Sequence, residues 1–284
     1  MFEKCKLKFG PLKLLMDALE KNKGIQAVKF ADIVIHEKEA TCISEMLKTK
    51  SSIQKLEMVN CGLNDAALIQ ISQGLALSKS LTHLDLRHNH FEAQGLNQLS
   101  NALRNTNSVE TLLLEDIELE EIQPLEDLFG DQNCRISHLA LNSLVMKEAT
   151  CLNLIESIKK LRSLKKLSFN RNHSTTAVIK QLATVAQYLN LTSLSLSHCN
   201  VTDETLRVLN QNLSSKTIEE LDLSWNHLTT DSCKEMKALL IDMTSLTKLC
   251  IQHNELGGTS FKGLAKALDD HDKLTYLDIS FNKL

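Results

Sequence analysis

Apolar positions along this chain follow two rhythms that alternate from end to end. From Ile218 to Leu228 it reads IEELDLSWNHL, with Ile218, Leu221, Leu223, Asn226 and Leu228 at offsets zero, three, five, eight and ten. Leu221 and Leu223 alternate with Glu220, Asp222 and Ser224, the period-two pattern of a short strand with one buried face. Beyond the final offset the period lengthens to that of a helix. Apolar residues then fall five, eight and twelve positions on, as at Leu68, Ile71 and Leu75 or Leu206, Leu209 and Leu213. The same frame opens at Ile25, Ile53, Leu81, Val109, Ile136, Leu164, Leu191, Ile218, Leu246 and Leu274, at spacings of 27 or 28 residues. Phe2, Cys5 and Leu7 occupy the last offsets of an earlier copy, which Leu12, Leu15 and Leu19 continue into a helix. Each copy is predicted to be one strand followed by one helix.

Such units must lay their strands parallel, because each helix returns the chain to the same edge of the sheet. Helices are wider than strands, so the stack is expected to curve into a horseshoe with the parallel sheet on its concave face and the helices on its convex face. Eleven strands at about 4.8 Å give an inner arc on the order of 50 Å, a groove sized for a folded protein rather than a metabolite. The expected architecture is a single α/β solenoid domain over residues 1–284, each repeat touching only its neighbours.

The offset-eight position explains how the chain turns. Asn89, Asn172, Asn226, Asn254 and Asn282 place an amide there that can bond the backbone groups exposed by the turn, with Cys5, Cys61 and Cys199 as small substitutes. Ile33, Ile117 and Leu144 cannot bond in that way, so looser turns are expected in their repeats. The repeat opening at Val109 departs furthest, since Pro124 replaces an inward residue and Leu125, Leu128 and Phe129 shift the stripe by one. Pro124 is predicted to begin a shortened helix that ends near Gly130.

Helical second halves such as EAQGLNQLSNAL and GGTSFKGLAKAL, in a frame of 27 to 28 residues, resemble the ribonuclease-inhibitor-like class of leucine-rich repeats. That resemblance spans the whole chain and implies a leucine-rich-repeat solenoid whose concave face binds another protein, in some members by covering an enzyme's active site. The Lys-, Asn-, Ile- and His-leaning helices also look like the small leucine-rich-repeat effectors that Legionella-type bacteria inject into host cells. For such an effector the resemblance implies export into the host cytoplasm without a Sec signal.

Composition narrows the partner. A net charge of −3 supplies no field for nucleic acid, and no apolar run approaches the roughly 18 residues of a membrane span. The opening MFEKCKLKFG lacks the apolar core of a secretory signal. The eight cysteines contain no C-x-x-C, and those at the turns, with Cys151 and Cys233 on inward helix stripes, are separated by whole repeats. Reduced, buried thiols in a cytoplasmic compartment are expected, with no disulfide, metal or cofactor.

Contact residues are sought among positions the repeat does not need, namely the alternate strand residues and the residue before the Asn offset. That column runs Lys4, Asp32, Asn60, His88, Asp116, Ser143, Arg171, His198, Trp225, His253 and Phe281. Its richest part is Trp225, His198, His253, Phe281 and the neighbouring Tyr276, with Asp222 and Asp278 beside them. Exposed aromatics on a rigid sheet are the residue types enriched among binding hot spots. A second candidate joins His83, Asp85, Arg87 and His88 with Glu57, Glu115 and Asp116, and Val59, Leu113 and Ala140 add an apolar strip. Arg171 is a further charged contact candidate.

No catalytic set emerges. His88, His198 and His253 share a column, but at about 4.8 Å per strand they lie roughly 19 and 10 Å apart, too far for one metal ion. Glycine-rich phosphate loops, H-E-x-x-H and G-x-S-x-G are absent. The expected function is non-catalytic binding of a folded protein in the concave groove, inhibiting or regulating it by coverage, with no small-molecule substrate. The alternatives are a GTPase activator using Arg87 or Arg171 beside an Asn, and a ligand-sensing repeat segment of a larger receptor.

Overall fold

The computed structural model describes residues 2–3, 9–49, 52–119, 121–172, 174–213, 217–258 and 261–284. Lys4, Cys5 and Leu7 of the first partial repeat lie outside the described residues. Strand and helix alternate as the two rhythms require. The first elements are β1 (Phe2–Glu3), α1 (Phe9–Lys21), β2 (Ala27–Ala31), α2 (Glu37–Thr49), β3 (Lys55–Val59), α3 (Asp65–Leu75), β4 (His83–Asp85), α4 (Ala93–Thr106), β5 (Thr111–Glu115), α5 (Gln123–Gly130) and β6 (His138–Asn142). They are followed by α6 (Glu148–Ile158), β7 (Lys166–Ser168), α7 (Thr176–Ala186), β8 (Ser193–Ser195), α8 (Asp203–Asn212), β9 (Glu220–Asp222), α9 (Ser232–Asp242), β10 (Lys248–Cys250), α10 (Phe261–Asp269) and β11 (Tyr276–Asp278). Strand neighbours follow chain order, and the paired strands run parallel, with partners such as Leu221 and Leu249 one repeat apart. The fold is an α/β leucine-rich-repeat solenoid.

The chain divides into two compact units, Met1–Ala140 with Leu144–Thr150, and Leu141–Ser143 with Cys151–Leu284. In the first, Leu56, Leu84 and Leu112 are register partners on β3, β4 and β5, and they are fully buried together with Leu68, Ile71 and Leu99 of the helices. In the second, Leu194, Leu221 and Leu249 are register partners, buried together with Leu182, Leu209 and Met236. Leu15 is half-buried, and its neighbour Met16 takes a buried position on α1. Helix starts are fixed locally. Asn64 accepts from the Ala67 amide at 3.0 Å, Thr175 accepts from Val178 at 3.4 Å, and Thr202 and Thr205 form a reciprocal capping box. Pro124 lies in the first turn of the eight-residue α5, which ends at Gly130, and Leu125, Leu128 and Phe129 are buried.

The turns differ from expectation in one respect. Asn226 accepts the amides of Cys199 and Val201 at 3.0 Å each, while its own amide donates to Leu196 and Leu223 carbonyls at 2.9 Å. Asn89 makes the equivalent set to Cys61, Leu63, Met58 and Leu86, so each asparagine stitches its repeat to the one before. Ile33, Ile117 and Leu144 were expected to loosen their turns, yet all three are buried and the residues before them keep the same left-handed backbone. At Leu144 a main-chain bond stands in for one side-chain bond, since Leu119 N donates to Val145 O; where Cys61 replaces Asn, Ile35 N likewise donates to Cys61 O. The apolar side chains themselves are buried in the turn.

Candidate functional site

Every described member of the column before the Asn offset has positive φ, from 49° at Ser143 to 59° at His88 and His198. Left-handed backbone is uncommon outside glycine, and most uncommon for bulky residues such as Trp225 and Phe281. Neighbouring repeats impose it. The amides of Asp32, Asn60, His88, Ser143, Arg171 and His198 donate to a carbonyl one repeat on, as Trp225 N does to Gln252 O at 2.9 Å and His253 N to Ser280 O at 3.0 Å. A side chain on such a position leaves the sheet from a fixed point, so consecutive members lie side by side.

In the second unit this brings four rings into one stack. His198 and Trp225 have centroids 5.1 Å apart at 12°, Trp225 and His253 3.5 Å at 15°, and His253 and Phe281 4.0 Å at 10°. Stacking holds each ring without burying the set, and Trp225 remains 44% exposed and Phe281 72%. Tyr276, half exposed, lies five residues before Phe281 at the start of β11, with the Lys248 ammonium 5.1 Å from its ring centre. Asp222 accepts from the Ser224 amide at 3.0 Å, and Ser195 Oγ is 3.1 Å from its other oxygen. Asp278 takes the Ser280 amide and hydroxyl at 3.1 and 2.6 Å. Both carboxylates are half-buried, three residues before Trp225 and Phe281 respectively. Arg171 is exposed one repeat before His198. Cys250 is buried and its thiol is pushed up chiefly by that burial, the opposite of what a nucleophile paired with His253 requires.

The first unit carries charge where the second carries rings. Arg87 grips Asp85 with Nε at 2.9 and 3.1 Å and Nη2 at 2.8 Å, and its Nη1 is 3.9 Å from Glu115. Asp85 is 1% exposed, so it does not itself reach a partner; it aims Arg87, whose guanidinium is held above its ordinary value by the hydrogen bonds it donates to Asp85. His88 Nδ1 lies 2.5 Å from Asp116, and Asn60 donates to Asp32 at 2.7 Å in the same column. Glu57 faces Lys55 at 2.6 Å and Lys29 at 3.6 Å; burial alone would raise its carboxyl, but those lysines hold it below the usual range. His83 is pushed below its ordinary value by burial, with Lys55 adding to the shift. Leu113 and Val59 are half-buried on this face, and Ala140 is buried.

Sequence reasoning placed these residues on one face, and it missed how tightly Glu57, His83 and Asp85 approach one another. Their donor atoms all lie within 4.8 Å. Offsets two and four of consecutive frames were the signal that could have found them.

With the fold and both surfaces described, the relatives can be placed. A family model for the Leucine Rich repeat matches residues 77–100, 189–209 and 214–236. The chain is 28% identical over 255 residues to human NACHT, LRR and PYD domains-containing protein 5, covering 87% of this chain and 21% of that protein. It is 26% identical over 272 residues to mouse NACHT, LRR and PYD domains-containing protein 14, covering 93% of this chain and 27% of the relative. Pig ribonuclease inhibitor matches at 25% over 265 residues, 87% of this chain and 56% of the inhibitor. The chain therefore spans about a fifth to just over half of the length of these relatives. Frame, fold and matches together make it a leucine-rich-repeat protein of the ribonuclease-inhibitor-like kind. This is a class of protein-binding repeat modules. Among the described residues no helix is long and apolar enough to cross a membrane.

Proposed function

We propose that this chain is a non-catalytic module that holds a folded partner protein against the ring stack of its second unit, regulating or inhibiting that partner by covering its surface. The observation that carries this is the stack of His198, Trp225, His253 and Phe281, ordered ring on ring, with Trp225 and Phe281 exposed and the amides of His198, Trp225 and His253 each bonded to the next repeat. A side chain already immobilised loses little entropy on binding, and large pre-ordered aromatics are where interfaces concentrate their affinity. Tyr276, Asp222 and Asp278 extend the surface with a polar margin, as a rim around an apolar centre would. Arg171, Arg87, His88 and Leu113 are secondary contacts, with Asp85 setting the aim of Arg87. The likeness to ribonuclease inhibitor, whose printed name states inhibition, supports the inhibitory mode.

The test uses the single tryptophan of the chain. A partner captured by affinity purification and identified by mass spectrometry is titrated while Trp225 emission is followed. A shift in emission on binding, lost with partner affinity in Trp225→Ala, is expected. Unaltered emission on saturation, together with full affinity in Trp225→Ala and Phe281→Ala, overturns the reading. The GTPase-activator alternative gains nothing from Arg87, which is committed to Asp85 rather than free to reach a nucleotide.

A further inference from the structure

His83 Nε2 is buried and has no hydrogen-bond partner, although it lies among charged groups on the face of β3 and β4. A buried nitrogen left in that state is costly, and such an atom asks what would satisfy it. Two carboxylates are the nearest answer: Glu57 Oε1 is 3.9 Å away, and Asp85 completes a trio whose donor atoms all lie within 4.8 Å. We propose that Glu57, His83 and Asp85 form a binding site for a divalent transition cation, with zinc the best match.

The donor set decides the ion. One imidazole and two carboxylate oxygens, completed by a water, make a four-coordinate site of the kind zinc takes, with bonds of about 2.0–2.2 Å. Calcium and magnesium demand six or more oxygens, which this face does not offer. His83 and Asp85 sit on β4, where Asp85 is the register partner of Glu57 on the adjacent β3.

Three cations already neutralise the carboxylates, and each can yield differently. The Lys55 side chain is 45% exposed and the Lys29 side chain 34%, so both ammonium groups can swing from Glu57 into water. Arg87 stays, because it approaches Asp85 from one side: Oδ1 takes its backbone amide and Nε, and Oδ2 takes Nη2 together with the longer share of the Nε hydrogen at 3.1 Å. A carboxylate has about four lone-pair sites, so a metal on Oδ2 displaces that longer share while Nε keeps its bond to Oδ1. Arg87 then becomes the outer partner that orients a ligand, as carboxylates and carbonyls do for metal-bound histidine. The bound ion would clamp β3 to β4 and replace two mobile lysines with a fixed positive charge.

Competition with Lys55 makes the proposal testable on the full chain. Zinc chloride is titrated calorimetrically into chelator-stripped protein, and cobalt(II) absorption is recorded in parallel. One equivalent is expected, weakened at least about tenfold in His83→Ala and in Glu57→Gln, and tightened in Lys55→Ala, which removes the competing charge. Thermal melting of each variant shows that the fold persists. Three outcomes overturn the site: no uptake at about 100 μM metal, uptake indifferent to His83→Ala, or a cobalt thiolate band, which would place the ion on the cysteines. Weakened rather than tightened binding in Lys55→Ala also overturns it.

Discussion

The column before the Asn offset is chemically different in the two units although its backbone is the same. In the first unit it pairs Asp32 with Asn60 and His88 with Asp116; in the second it stacks His198, Trp225, His253 and Phe281. Left-handed φ is common to all of them. The repeat therefore supplies a fixed point of departure, and each unit spends it on its own chemistry: screened, salt-sensitive pairs in one and solvent-facing aromatic surface in the other.

Breaking the support beneath the rings should have the largest effect. Leu221→Ala removes a fully buried leucine below Trp225 and is expected to lower stability by about 2–5 kcal/mol, read by denaturant unfolding. Next comes the turn. Asn226→Ala strands the Cys199 and Val201 amides and three carbonyls, an expected loss of about 3 kcal/mol on the same measurement. A smaller value would mean that packing and main-chain bonds carry most of the turn.

Trp225→Ala separates content from scaffold. It is expected to cost about 2 kcal/mol or more in partner binding, roughly thirtyfold in affinity, while the unfolding midpoint barely moves. In the first unit, Asp116→Asn removes an exposed partner of His88 and should change stability by less than about 1 kcal/mol. Any effect it has on partner affinity should fade as salt rises, whereas the Trp225→Ala defect should persist.

Alkali tests the buried turns themselves. Burial lifts the Cys61 and Cys199 thiols to about 12 in the folded chain, whereas unfolded thiols ionise near about 8.5. Their contribution is full below the unfolded value and is lost as pH rises through the folded one, so stability should decline from about pH 9 upward. A flat melting temperature across that range would show that neither thiol is held protonated.

Much of this was legible in the residues. The frame located strands, helices and buried leucines, the shortened α5 at Pro124, and the exposed placement of Trp225, Tyr276 and Phe281. Two readings were incomplete for physical reasons. Asp85 looked like a free contact because alternation reports a face, whereas its burial depends on Arg87 folding over it. Ile33, Ile117 and Leu144 looked like defects because composition showed the lost amide, while their burial and the left-handed backbone before them are set by neighbouring repeats.

The sequence by itself determined the repeat: its period, its alternation of strand and helix, and the side of each element that turns inward, because these depend on side chains a few residues apart. Only the tertiary structure decided the left-handed column, the ring stack, and the meeting of Glu57, His83 and Asp85. Those depend on lateral contacts between residues 25 or more positions apart, set by how closely one turn lies against the next, a distance no local pattern encodes.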